Sequence, residues 1–198
     1  HFYIEHNRGH HKNVSTEKDP ATARKNEDLY SFFLRSISGQ YKNAWRLENS
    51  RLKNSGLKSF SLHNEMLRFT VYQTLYLSAV ILLFGIQLLP YALAVALIGV
   101  LLLEAVNYIE HYGLKRYILP NGKPERVLPK PSWNSDFEMG RIMLFELTRH
   151  SDHHYKASRK YQILRHMDEA PQLPVGYPAS MLLATVPPLW FRVMNKRL

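Results

Sequence analysis

The sequence has 198 residues, 45% of them hydrophobic, no cysteine, and a formal net charge of +10. The lack of cysteine excludes disulfides, a cysteine-held iron–sulfur cluster and haem–thiolate ligation. A basic balance suits nucleic acid, an anionic membrane surface or an acidic partner; with no basic stripe interleaved with aromatics and no binding motif, no nucleic acid is expected.

The chain opens on a histidine group, Glu5-His6-Asn7-Arg8-Gly9-His10-His11. His6 and His10 are four apart, which on an α-helix puts them on one face, with His11 reaching a neighbouring position. Because the sequence begins at His1 inside such a group, it is read as a piece of a longer domain. Asp28–Glu48 then carries Leu29, Tyr30, Phe32, Phe33, Ile37, Tyr41 and Trp45 with basic residues between, an uneven apolar stripe that predicts a helix lying in a membrane interface.

From Phe69 to Ile109 the sequence is almost unbroken apolar, with Gln73, Gln87, Glu104 and Asn107 as the main polar interruptions. One bilayer crossing takes about 20 helical residues, and this run is roughly twice that. Pro90 near its middle removes a backbone donor and disfavours helix at the residue before it, so a turn is predicted near Gln87–Tyr91. The reading is two antiparallel spans, about 69–88 and 91–110, against one long kinked helix or a buried soluble hairpin. Glu104 lies within the second span; it either faces the bundle interior or snorkels to the interface. Two spans return the chain to the side it left. The flanks, 1–68 and 113–178, hold nearly all the lysine and arginine, which assigns that shared side to the cytoplasm.

The second span ends in Asn107-Tyr108-Ile109-Glu110-His111-Tyr112-Gly113, with His111 at the membrane boundary. The stretch 114–135 contains Pro120, Pro124, Pro129, Pro131 and Asn121-Gly122, and is predicted to be a structured loop. Its Lys115, Arg116, Lys123, Arg126 and Lys130 either dock an acidic electron donor or simply express the positive-inside bias. The third histidine group is Arg149-His150-Ser151-Asp152-His153-His154, where His150 lies three and four residues from the next two. Ala179–Val193 is apolar but interrupted by Pro187-Pro188 and is expected to be interfacial; His63 and His166 stand alone and are expected to be structural or surface residues.

Seven of the ten histidines thus fall into three groups on one side of a hairpin. His6, His10, His11, His111, His150, His153 and His154 are the candidate metal ligands. They exceed what one tetrahedral zinc needs and suit two five- or six-coordinate ions with open positions for dioxygen. Imidazole serves zinc, copper, iron and nickel, so ligand type alone does not choose among them. Glu5, Glu110 and Asp152 are candidate acceptors that orient imidazole N–H groups, or else ordinary helix charges. On the residues alone, a zinc-binding membrane hydrolase or metal carrier stays open beside an oxygen enzyme.

The three histidine segments, extended as Asn107–Leu114 and Leu147–His154, resemble the membrane-bound alkane hydroxylases, the alkane monooxygenases of bacteria. Asp19-Pro20-Ala21, Ser132-Trp133-Asn134-Ser135, Tyr161–His166 and Ala170-Pro171-Gln172-Leu173-Pro174 extend the resemblance over nearly the whole chain. The first and third boxes mark the wider histidine-rich superfamily that includes fatty-acid desaturases; the His-Tyr-Gly element with its Asn-Tyr-Ile-Glu lead-in points to the alkane branch. The resemblance implies an all-α integral membrane helical bundle, here a transmembrane hairpin plus cytoplasmic helices carrying the boxes. It implies two non-haem iron ions on the seven histidines, electrons from rubredoxin and its reductase, and terminal hydroxylation of n-alkanes to primary alcohols. The location implied is the bacterial inner membrane, multi-pass, among membrane lipid, with the active site near the cytoplasmic face. An upstream His-Glu-x-x-His box and earlier spans belong to the family pattern, so residues 1–198 are expected to be a partial di-iron oxygenase domain, incomplete for activity by itself. Glu17, Asn26, Arg141 and Thr148 depart from that pattern without touching a candidate ligand. Xylene-type monooxygenase and fatty-acid desaturase are the alternatives within oxygen chemistry.

Overall fold

The computed structural model describes all of His1–Leu198, and the protein is all-helical, with only two isolated β-bridges. The first histidine group lies on one continuous coil: α1 (Phe2–Glu5), a π-helical turn over His6–His10, and α2 (His11–Asn13). The long α3 (Leu29–Asn54) starts where the Asp28 carboxylate accepts from the backbone N–H groups of Tyr30 and Ser31, satisfying donors that a helix start leaves unpaired.

The hairpin is α4 (Glu65–Phe84) and α5 (Leu89–His111), joined by a short 3-10 turn over Ile86–Leu88. Both arms are long and apolar enough to cross a membrane, and neither apolar window is buried within the chain. Side chains such as Leu82 and Val95, 83% and 71% exposed, present an apolar surface that hydrocarbon solvates and water does not. The reversal runs over Gly85–Leu88, overlapping the predicted Gln87–Tyr91 turn and starting two residues before it. It opens at Gly85, whose φ of 87° and ψ of 157° lie in a region essentially reserved for glycine. Pro90 instead sits in the first turn of α5, where its missing N–H would have had no helical partner.

The helix predicted over Asp28–Glu48 continues to Asn54, and the face it turns inward is mixed: Leu29, Phe32, Ala44 and Leu52 are buried beside Ser36, Gln40, Asn43 and Glu48, while Tyr30, Leu34 and Tyr41 are exposed. It packs against α1 and α5. The C-terminal apolar stretch folds as α8 (Tyr177–Ala184) and α9 (Pro187–Met194), broken as expected at the prolines, with Pro187-Pro188 opening the second helix. Fully buried Trp190 packs its ring 5.5 Å from Tyr108 and 5.3 Å from Tyr112 of α5. These residues, with Phe32, Trp133 and Tyr177, form the main hydrophobic core at the end of the hairpin that bears His111.

Between α5 and α8 the proline-rich segment makes a turn closed by Ile118 and Pro124, followed by α6 (Glu138–Met143) and α7 (His150–Tyr155). Glu48 joins three elements near the first histidine group. It accepts from Arg8, from Arg51 and from the backbone N–H of Glu65 at the start of α4, and the Arg51 bond above all holds its carboxyl down at about 2.

Gly85→Ala forces a side chain into the glycine-only turn and is expected to cost about 1–3 kcal/mol. Gly99, with open space around it on α5, is the control. Thermal unfolding in detergent should show a lower midpoint for Gly85→Ala and none of that loss for Gly99→Ala.

Candidate metal centre

Three segments deliver imidazoles to one place: the α1–α2 coil, the last residue of α5, and α7. They form two adjoining groups, a buried one of His10, His111, His150 and His154 and a half-buried one of His6, His11 and His153. Within the first, Nε2–Nε2 separations are 3.2 Å for His10–His154, 2.8 Å for His154–His150 and 3.2 Å for His150–His111. In the second, His11 lies 3.0 Å from both His6 and His153, again between Nε2 atoms. The rings of His11 and His154, one from each group, are 5.1 Å apart between centroids.

The distribution differs from a plain helical reading of the first box. An α-helix would pair His6 with His10, but the π turn widens the coil, so His6 pairs with His11 five residues on, and His10 is released to the other group. Gly9 leaves room for the Glu5–Asn43 pair packed on this coil: a Cβ there would come within 2.6 Å of Glu5 Oε1 and 2.9 Å of Asn43 Nδ2. On α7 the four-residue spacing pairs His150 with His154, while His153 turns to the second group.

The donor set fits metal. Imidazole nitrogens about 2.1 Å from one ion, at right angles, would stand about 3.0 Å apart, close to the separations seen. Orientation agrees. His10 donates its Nδ1–H to Asp19 Oδ2 at 2.8 Å, and His111 Nδ1 faces the Pro131 carbonyl at 3.3 Å, so each Nε2 lone pair points to the centre. Burial, then the neighbouring imidazoles, pushes His6 down to about 2; burial and His153 bring His11 to about 4. His150 and His154 are pushed far down for the same reasons, which keeps these rings in the neutral form that binds a cation. Burial also lowers His10, but the Asp19 carboxylate beside it outweighs that and raises it overall.

The three acidic candidates diverge. Glu110 touches the cluster, with Oε2 3.2 Å from His150 Nε2, and Tyr177 donates its hydroxyl to the other oxygen at 3.0 Å. It therefore stands on the metal-facing side of His150 rather than behind the ring. Glu5 is buried and accepts from Asn43, with no imidazole contact. Asp152 pairs with Arg159 and Arg165 at 3.0 Å each, pinning α7 to the segment after it. The acceptor that does orient a ring, Asp19, belongs to the Asp19-Pro20-Ala21 element; its signal was a carboxylate eight residues past the box. Asn134 was also legible only as part of a motif: its amide bonds both the backbone N–H and the hydroxyl of Ser151, setting the first turn of α7.

Of the basic loop, Lys115, Lys123, Arg126 and Lys130 are exposed. Arg116 is not: it is 7% exposed and spends its guanidinium on the carbonyls of Val14, Glu125 and Lys12, so it offers no charge to a partner. His166 is paired with Asp136 at the surface, and His63 is exposed, both away from the cluster.

The model of the fatty acid desaturase family matches residues 1–181. The chain belongs to that family. Among curated relatives, it is 45% identical over 196 residues to alkane 1-monooxygenase 2 of Alcanivorax borkumensis, covering 99% of this chain and 51% of that one. It is also 45% identical over 197 residues to the alkane 1-monooxygenase of Acinetobacter baylyi, covering 100% and 48%. The xylene/toluene monooxygenase hydroxylase component of Pseudomonas putida is 29% identical over 193 residues, covering 98% and 51%. The chain spans about half the length of these relatives.

Asp19→Asn keeps the size of the group and removes its charge behind His10. Loss of such a partner typically costs 10–100-fold in metal affinity, and metal titration of the purified variant should show a fall of that order; unchanged affinity would leave Asp19 with only a packing role.

Proposed function

We propose that this chain carries most of the catalytic centre of a membrane alkane monooxygenase, which hydroxylates the terminal carbon of n-alkanes. The observation that carries the reading is the pair of abutting imidazole groups, four and three Nε2 atoms, at the end of an apolar hairpin. The 45% identity to two alkane 1-monooxygenases, against 29% to the xylene/toluene enzyme, favours the alkane substrate.

In this reading the seven histidines hold two iron ions, which when bound supply the activation of dioxygen needed to attack an unactivated methyl group. The net reaction consumes an alkane, dioxygen, two electrons and two protons, and yields a primary alcohol and water. The chain's own part is positioning and exclusion of water. Asp19 and the Pro131 carbonyl fix two rings, and Tyr177 holds Glu110 against His150. The buried aromatic core around Tyr108, Tyr112 and Trp190 keeps the His111 side dry. An alkane dissolved in lipid reaches the centre along the hairpin, whose His111 end is buried while the rest stays exposed. The enzyme sits in the bacterial inner membrane, with this end toward the cytoplasm and further spans supplied by the remainder of the domain.

The test uses the full-length protein in membranes with an electron supply, isotopically heavy dioxygen, and a mixture of n-alkanes, xylene and a fatty acyl substrate. Labelled primary alcohols from the alkanes are expected. Ring-methyl alcohols or unlabelled alkenes would move the enzyme to a sister branch, and absence of oxidation by an iron-loaded preparation would end the reading in favour of zinc chemistry.

The electron donor in this proposal is rubredoxin, docked on Lys115, Lys123, Arg126 and Lys130. Changing all four to glutamate should slow reduction of the centre at least tenfold at low salt, with iron content unaltered and the difference shrinking as salt is added. Stopped-flow reduction measures this, and an unchanged rate would remove the surface from consideration.

A further inference from the structure

Outside the histidine cluster, the most unusual feature is a buried polar seam between α3 and α5. Ser36, Gln40 and Asn43 lie along one face of α3, at helical spacing, and all are buried. Facing them is Glu104 of α5, 2% exposed within a membrane-spanning helix. Ser36 donates to Glu104 Oε2 at 2.7 Å and Gln40 Nε2 donates to Oε1 at 2.7 Å. Asn43 donates to Glu5 at 2.9 Å, and Glu5 adjoins the first histidine group.

Three features set this seam apart from simple interhelical bonding. The side chains that donate to Glu104, Ser36 and Gln40, are neutral, so no cation is bonded to an ionised carboxylate there. Buried atoms along the seam are left without partners: Gln40 Oε1, Asn107 Nδ2 and Glu5 Oε2. Such atoms call for bound water or a change of protonation. If the Gln40 amide turns over, its free oxygen becomes the acceptor that a protonated Glu104 needs. Finally, the seam has a mouth. Asn43 accepts at 2.6 Å from Arg46, which is exposed, and both line an open hollow of about 320 Å³. At the other end, Glu104, Tyr108 and His111 follow one face of α5, so Glu104 lies about 10 Å along the axis from a candidate ligand.

We propose that Glu104 is the proton store for dioxygen reduction, refilled from solvent through the Asn43–Gln40 seam and discharged toward the histidine centre through seam water. The proposal rests on the monooxygenase reading, since that reaction consumes two protons for each water formed. Each turnover takes two protons. The Glu104 O–H bond breaks and its proton passes through seam water toward the histidine centre, and solvent water entering past Asn43 restores it. The same transfer then repeats, so that two protons and two electrons from the external donor account for the one water formed. The electrons come from the same external donor and do not pass through Glu104. Glu104 acts through the seam and touches no substrate, so it is a positioning residue in the proton path.

The experiment compares the full-length parent with Glu104→Gln, Glu104→Asp and Gln40→Leu in iron-loaded membranes. It reads alcohol formed per dioxygen consumed, peroxide released, the solvent deuterium isotope effect and bound iron. The infrared band of a protonated carboxyl, which shifts in D2O, is read on metal-free protein. The expected result is a carboxyl band lost only in Glu104→Gln, with parent-level iron. Turnover should fall by about 10²-fold, the scale of a lost proton-transfer group, with peroxide rising and Glu104→Asp partly restoring coupling. Gln40→Leu, which leaves Glu104 in place, should slow turnover and enlarge the isotope effect. Parent-like coupling in Glu104→Gln would overturn the proposal, as would iron loss in proportion to activity loss in both Glu104→Gln and Gln40→Leu. A parent that forms no alcohol would instead be a failure of the monooxygenase reading, while the carboxyl band still reports whether Glu104 carries a proton.

Discussion

Seven imidazoles aimed edge-to-edge at a shared interior impose the constraint on which the rest of the structure depends. Lone pairs about 3 Å apart in a buried site repel one another, and without a cation or proton between them the arrangement is costly. The surrounding protein supplies the restraint that keeps them there. Asp19 and the Pro131 carbonyl take ring N–H groups, Asn134 holds the first turn of α7, and Asp152 is anchored by two arginines. The rigid core of Tyr108, Tyr112, Trp133 and Trp190 sits behind His111. Each device removes freedom from a ring that metal would otherwise have to order, which is how a soft cluster becomes a defined site.

The hairpin and the cluster are parts of one design. A membrane span cannot leave backbone groups unpaired in hydrocarbon, so α4 and α5 are continuous apolar helices, reversed at a glycine that tolerates the required backbone angles. Polarity is admitted only where α5 is covered by α3, α8 and α9, and there it is dense: Glu104, Asn107, Glu110 and His111 within two turns. The buried polar residues of α3 and the helices α8 and α9 cover this end of α5.

The chain belongs to the fatty acid desaturase family, and its fold decides the partner of each histidine. The π turn in the first box is the clearest case. By adding a residue to the turn, it sends His6 and His11 to one group and His10 to the other, so a single short segment contributes to both. The two groups thereby abut within one short segment of chain.

Composition and spacing by themselves pointed to an apolar hairpin that reverses once and to three histidine groups on one side of it, while the all-helical architecture came with the family resemblance. The hairpin and the shared side follow from local rules, since apolar run length sets spans and parity sets sidedness. The division of the seven rings into four and three, the placement of Glu110 on the metal side of His150, the roles of Asp19 and Asn134, and the burial of Arg116 came only from the tertiary structure. So did the part of Gly85 in the turn, and the buried polar residues of α3. The physical reason is common to all of these. Each depends on which atoms approach from distant parts of the chain, and a side chain's charge or hydrogen-bonding capacity does not reveal which partner will claim it until packing has chosen the neighbours.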